Sequence, residues 1–156
     1  YAAEAASRAG AGLSFAAVPE CVYQIEACRA SSAMVFPAAS KDGRFSAAAF
    51  NDIMAKSEKT TAMLIGPGMG RGEESDNLVL ELIRTFSGQI ILDADGINAI
   101  SGHIDILGLS ARPMILTPHM GEFARIGGDL SLPPPDAQSG ERRGGERGGS
   151  RWGPAH

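Results

Sequence analysis

Short apolar runs recur along this chain, and each gives way to a stretch of helical period. Thr61 to Ile65 precedes an amphipathic segment near Glu73 to Phe86 that carries Leu78, Leu82 and Ile83. Gln89 to Leu92 precedes Gly96 to Ile100, and Met114 to Leu116 precedes Gly121 to Ile126. Runs this short do not make helices, and their unbroken apolar character suits strands covered on both faces. Strands that alternate with helices pair in parallel through helical crossovers, so the order predicts an α/β layered fold around a parallel sheet.

The first part of the chain continues the pattern less regularly. Tyr1 to Ala9 reads as helix, with Glu4 and Arg8 on one exposed side and Gly10 and Gly12 after it. Leu13 to Val18 reads as a strand ended by Pro19, and Glu20 to Arg29 as a helix with Val22, Ile25 and Cys28 at helical spacing. Met34 to Phe36 is a short apolar stretch before the turn residues Lys41-Asp42-Gly43, and Ser46 to Lys56 reads as helix. On a helix Cys21 and Cys28 are about 10 Å apart in rise, too far for a disulfide. They face nearly the same way, as buried small apolar side chains do.

The charge pattern excludes some functions. A net charge of −4 and a pI near 5.3 disfavour a nucleic-acid surface. No apolar run approaches the roughly 20 residues that cross a bilayer, and no secretory layout opens the chain, so membrane association is not expected and a cytoplasmic location is. The first residue is Tyr1, which points to a start inside a longer protein or to trimming. The α/β pattern stops after Gly128. Residues 131–156 carry Pro133-Pro134-Pro135 and a run of Gly, Glu and Arg, with almost no apolar side chains. Such a segment buries too little surface to offset its ordering entropy, so the expected division is an α/β domain over 1–130 and a disordered tail over 131–156. Arg142, Arg143, Arg147 and Arg151 in that tail face Asp136, Glu141 and Glu146, and a net charge of +1 does not make an RNA-binding arm.

In an open parallel sheet, ligands gather beyond the carboxyl ends of the strands. Three strands here end in sequences with chemical content. Gly66-Pro67-Gly68-Met69-Gly70-Arg71 removes Cβ atoms from a loop entering a helix, which lets backbone N–H groups approach an anion; a tight turn explains it as well. It lacks the Lys-Ser/Thr of a phosphate-binding Walker loop. Asp93-Ala94-Asp95-Gly96 brings two acids that point to one side if the strand continues through them, able to hold Mg²⁺ or a ligand hydroxyl. Alternatively, Asp95 caps the next helix and Asp93 tethers a loop. Thr117-Pro118-His119-Met120-Gly121-Glu122 has Thr117 as a candidate N-cap and Pro118 as a candidate first helical residue. It places an imidazole and a carboxylate three positions apart. His119 can hydrogen-bond a ligand, and Glu122 can order hydrated Mg²⁺; the alternative is a capped turn with a solvated Glu.

Taken in order, GAGL (Gly10 to Leu13), IGPGMGR (Ile65 to Arg71), ILDADGIN (Ile91 to Asn98) and ILTPHMGEFARI (Ile115 to Ile126) resemble the NAD(P)H-hydrate dehydratase family. The resemblance covers nearly all of residues 1–130. It implies a three-layer ribokinase-like α/β fold, here incomplete at both ends. It also implies a lyase that uses ADP or ATP, with Mg²⁺, to dehydrate the S epimer of hydrated NADH or NADPH, and often a homo-oligomer. Carried over by motif, Gly68, Gly70 and His119 contact the substrate, Asp93, Asp95 and Asn98 line the site, and Glu122 orders Mg²⁺ through water. The family begins with a strand and a Gly-Gly-Ser-like turn that this chain lacks. It continues past the TPHxGE segment with a strand ending in Lys-Gly and a glycine-rich segment ending in Gly-Asp, whose Asp is the catalytic base. That continuation is not found after Gly128, so no catalytic residue is assigned and this chain is expected to be inactive alone. Two other readings compete. One is a sugar or vitamin-precursor kinase of the same superfamily, in which Asn usually stands at the position of His119. The other is a non-catalytic fragment that binds cofactor.

Overall fold

The computed structural model describes residues 1–110 and 112–130. The expected division into a domain and a disordered tail therefore falls, for the tail, outside the described residues. Among the described residues, seven strands and six α-helices follow one another as α1 (Ala2–Arg8), β1 (Phe15–Pro19), α2 (Tyr23–Arg29), β2 (Met34–Ala38), β3 (Ser40–Lys41), β4 (Arg44–Phe45), α3 (Ala49–Ser57), β5 (Ala62–Ile65), α4 (Glu73–Thr85), β6 (Gln89–Leu92), α5 (Asp95–Ala99), β7 (Ile115–Leu116) and α6 (Met120–Arg125). Short 3₁₀ turns cover Glu20–Val22 and Ile104–Gly108.

The parallel α/β character read from the sequence is present. β1 pairs in parallel with β2, and β5, β6 and β7 form a parallel three-stranded sheet in that order. Helix α4 crosses from β5 to β6 and buries Leu78, Val79, Leu80, Leu82 and Ile83. These meet Ile65, Ile90, Leu92, Ile97, Ile100 and Ile106 in one core. Burying a side chain of this size contributes roughly 1.5–3 kcal/mol, so the strand–helix–strand unit around α4 is the anchor of the fold.

The two faces of the β5–β6–β7 sheet differ. Met63, Ile65, Ile90, Leu92 and Leu116 share the core side, as the period of two requires. Leu64, Ile91 and Ile115 stand in one register row on the other side. There Leu64 is 45% and Ile115 52% exposed. The unbroken apolar strands predict cover on both faces; among the described residues, one face has it.

Three local expectations need correction. Cys21 and Cys28 are free thiols, as the spacing requires, but both are exposed instead of buried. The segment breaks into a 3₁₀ turn and a seven-residue helix that buries none of its residues, so it has no inward stripe for them to join. Lys41-Asp42-Gly43 does more than turn the chain. Asp42 (φ 51°) and Gly43 (φ 77°) are both left-handed and close the antiparallel hairpin β3–β4. Finally, Thr117 does not cap α6. The helix starts at Met120 with His119 as its N-cap.

Candidate functional site at the carboxyl ends of β5, β6 and β7

Because β5, β6 and β7 are parallel neighbours, the three loops singled out in the sequence leave the sheet at one rim. The strand ladder runs up to that rim, with the Asp93 N–H donating to the Ile65 carbonyl (3.1 Å) and the Thr117 N–H to that of Leu92 (3.1 Å). Beyond it, the loops are held together by glycine packing and two carboxylates.

The glycine loop after β5 needs its glycines for two different reasons. A Cβ on Gly66, at φ 126°, would lie 1.8 Å from the Asp93 carbonyl oxygen, and one on Gly96 would lie 2.5 Å from that of Ile65. These two residues let the ends of β5 and β6 touch backbone to backbone. Gly68 is different. It also has positive φ (73°), yet a Cβ there would meet nothing within 4 Å. Its surface is open, as a ligand-facing turn requires.

Asp93 and Asp95 do not point together, contrary to the expectation of a continuing strand. The strand ends at Leu92, and Ala94 takes φ 47°, ψ −118°, a conformation that costs an L-residue on the order of 1–3 kcal/mol. This reversal sends the two acids to opposite neighbours. Asp95 Oδ2 accepts the Gly70 N–H (3.0 Å), reaching back to the β5 loop. Asp93 Oδ1 accepts the Thr117 hydroxyl (2.9 Å), reaching forward to the β7 loop. The Ala94 carbonyl accepts bonds from the Ile97 N–H (3.0 Å), the Asn98 N–H (3.1 Å) and the Asn98 side-chain amide (3.2 Å), which fix the strained turn. Among the described residues no group of three or more His, Cys, Asp or Glu side chains is placed to hold a metal ion.

His119 and Glu122 form a reciprocal cap on α6. His119 Nδ1 accepts N–H bonds from Gly121 (3.0 Å) and Glu122 (3.4 Å), and the His119 N–H donates to Glu122 Oε2 (3.0 Å). With Nδ1 an acceptor, the proton of the neutral ring is on Nε2, which lies 3.2 Å from Glu122 Oε1. Glu122 is buried, with Oε2 bonded to the His119 N–H and Oε1 close to Nε2, while the imidazole itself remains exposed. A ligand that takes the Nε2 proton does so beside the Glu122 carboxylate.

Two basic residues at this rim were not singled out from the sequence. Arg125 Nη1 donates to Asn98 Oδ1, tying α6 to α5. Arg44, from the β3–β4 hairpin, lies along the glycine loop, with its Nε 3.6 Å from where a Gly70 Cβ would stand. The arginine in ARI, four residues past the glycine of TPHMGE, falls one turn along the same helix face and could have suggested Arg125. Nothing local marks Arg44, because its place depends on how a distant hairpin folds back. A separate hollow of about 120 Å³ lies against β1 and β2, lined by Tyr1, Glu4, Arg29 and Val35 among others, and includes none of the three loops.

Comparison with known proteins gives a consistent result. A family model described as NAD(P)H-hydrate dehydratase matches residues 1–143. A bifunctional NAD(P)H-hydrate repair enzyme, Nnr, of Salinibacter ruber is 38% identical over 131 residues, which is 82% of this chain and 24% of that protein. The protein of the same name from Gloeobacter violaceus is 38% identical over 124 residues, 79% of this chain and 23% of its own. That of Moorella thermoacetica is 35% identical over 126 residues, 80% and 24% respectively. The chain spans 24% or less of the length of these three relatives.

Proposed function

Since this chain belongs to the NAD(P)H-hydrate dehydratase family, we propose that its β5–β6–β7 rim forms part of the substrate seat of an ADP- or ATP-dependent dehydratase acting on S-epimer hydrates of NADH and NADPH. The observation that carries this reading is the pair of carboxylate bridges, Asp95 to Gly70 and Asp93 to Thr117. They bind the glycine loop and the His119 turn into one unit around the DAD turn.

In that seat Gly68 and Gly70 offer close backbone approach, His119 offers its Nε2 proton to an oxygen of the substrate, and Asn98 fixes the turn between them. Asp93 and Asp95 line the site by holding its loops. When bound, the nucleotide supplies the phosphoryl group that converts the hydrate's hydroxyl into a good leaving group. No described residue is assigned to that nucleotide. Glu122 was expected to order Mg²⁺ through water, but its carboxylate oxygens are engaged by His119 and no metal cluster surrounds it among the described residues. The present donor set does not fit a resident ion, and no step is derived through one. The only Gly-Asp pair beyond α6, Gly128-Asp129, follows the helix's last turn with no strand before it, unlike the family's catalytic Gly-Asp segment. The compartment expected for this reading is the cytoplasm; no helix among the described residues is long and apolar enough to cross a membrane.

The test separates binding from turnover. Calorimetry of the 156-residue chain with S-epimer hydrated NADPH should give saturable binding that His119→Ala weakens. Adding ADP or ATP should restore no absorbance of the reduced nicotinamide. Binding of sugars in preference to the hydrate would replace this reading with the kinase one, and restored absorbance would overturn the expected inactivity.

A further inference from the structure

Arg44 is an exposed cation laid on the glycine loop without a partner among the described residues. A Cβ on Gly70 would stand 3.6 Å from its Nε and 3.7 Å from its Cγ and Cδ, and a Cβ on Gly72 would stand 3.8 Å from its Nη1. The side chain thus runs along the loop from Gly70 to Gly72, over positions where no side chain separates it from the backbone. The surrounding charges are already committed. Arg71 pairs with Asp76 (3.3 Å), and Glu74 lies 3.9 Å from Lys41 Nζ while accepting the Ala47 N–H (3.3 Å). Glu73, the other acid of that turn, is beyond ion-pair distance. Arg44 makes no hydrogen bond or ion pair with any described residue. It leaves the N–H donors of an exposed guanidinium on the glycine loop, with Nη1 at the Gly72 end.

We propose that Arg44 recognises a phosphate group of the hydrated dinucleotide seated on this loop, which makes it a specificity-determining residue of the site. This rests on the substrate reading above and extends it by assigning one part of the substrate to one side chain. A hydrated nicotinamide dinucleotide carries its negative charge on phosphates, and a guanidinium meets phosphate oxygens with paired, charge-assisted hydrogen bonds. The hairpin's left-handed Asp42-Gly43 turn fixes the register of Ser40 with Phe45 and Lys41 with Arg44, and so sets Arg44 against the loop. Lys41 is held toward Glu74, and Arg44 is the hairpin's remaining cation.

Phosphate stands at two places in this chemistry, the pyrophosphate bridge common to both dinucleotides and the 2′-phosphate of NADPH. Binding is measured by calorimetry on the full chain and on Arg44→Ala and Arg44→Lys. The probes are hydrated NADPH, hydrated NADH and the hydrated dihydronicotinamide riboside, which has no phosphate. Arg44→Ala should weaken hydrated NADPH by about tenfold at low salt, less at high salt, and leave the riboside unchanged. Arg44→Lys, a point charge in place of a fork, should recover part of the loss. A loss confined to hydrated NADPH assigns the contact to the 2′-phosphate, and an equal loss assigns it to the pyrophosphate. Equal weakening of all three probes, or of none, overturns the proposal. If Arg44→Ala binds like the unmodified chain while His119→Ala does not, the phosphate assignment fails and the substrate reading stands. If the unmodified chain binds no hydrate, both fall.

Discussion

Gly66 and Gly68 sit two positions apart in one loop and have different physical reasons to be glycine. Gly66 exists for contact between strand ends, and a methyl group there would collide with the Asp93 carbonyl. Gly66→Ala should therefore destabilise the fold by about 1–3 kcal/mol, as overpacked sites do. Gly68→Ala meets open space and carries only the left-handed backbone penalty of roughly 1–2 kcal/mol. Its main effect should appear in ligand binding, and urea melts beside calorimetry will separate the two. Asp95 has a comparable diagnostic. Asp95→Ala removes the acceptor of the Gly70 N–H and should speed hydrogen exchange at that amide. Asp95→Asn keeps an oxygen at the same place and should restore much of the protection. Equal exchange in both variants would mean that negative charge, not the bond, is what the loop uses. From the sequence Gly68, Gly70, Asp93, Asp95, His119 and Glu122 stood out within unusual strand endings, and Asn98 entered only through the family resemblance. Their directions were not readable, because one strained residue, Ala94, turns the two acids apart. Alanine carries no signal for that conformation.

The strands and helices with strong periodicity came through as read. α4 spans Glu73–Thr85 against an expected Glu73 to Phe86, and β6 matches its expected bounds of Gln89 and Leu92. The misread pieces are those whose structure depends on contacts far away in sequence: the β3–β4 hairpin, the split of the second helical segment, and the cap of α6. The last is instructive, since Thr117 has the right chemistry for a cap but spends its hydroxyl on Asp93. The join between α1 and β2 shows the same dependence. Glu4 Oε1 accepts the N–H groups of Ser31 (2.9 Å) and Ser32 (3.2 Å), and Oε2 accepts both hydroxyls (2.8 Å each). The Ser32 hydroxyl and then the Ser31 N–H are the main reasons its pKa falls from the usual 4.5 to about 2. A carboxyl that is more acidic when folded contributes stability above its unfolded pKa and loses it as pH drops through the folded one. Glu4→Gln should therefore melt below the unmodified chain at pH 7, with the gap closing between pH 4.5 and about 2. Thermal melts across that range will check it, and a gap that persists at pH 2 would detach the effect from ionisation.

For the molecule as a whole, the parallel order of β5, β6 and β7 does two things together. It builds the core around α4, and it brings three loops with separate chemistries to one edge of the sheet. The α/β class followed from the alternation of apolar runs and helical periods. That the row of Leu64, Ile91 and Ile115 lacks cover among the described residues did not follow, because strand composition reports a need for cover and not the element that provides it. The chain belongs to the NAD(P)H-hydrate dehydratase family, and the seat proposed for it is the rim formed by β5, β6 and β7. Backbone amide NMR of the labelled chain, titrated with S-epimer hydrated NADPH, probes that seat directly. The amides of Gly68, Gly70, Asp95 and His119 should shift together along one binding curve. Shifts confined to the hollow lined by Tyr1, Glu4 and Arg29, or separate curves for the glycine loop and the His119 turn, would contradict a single ligand seat at this rim.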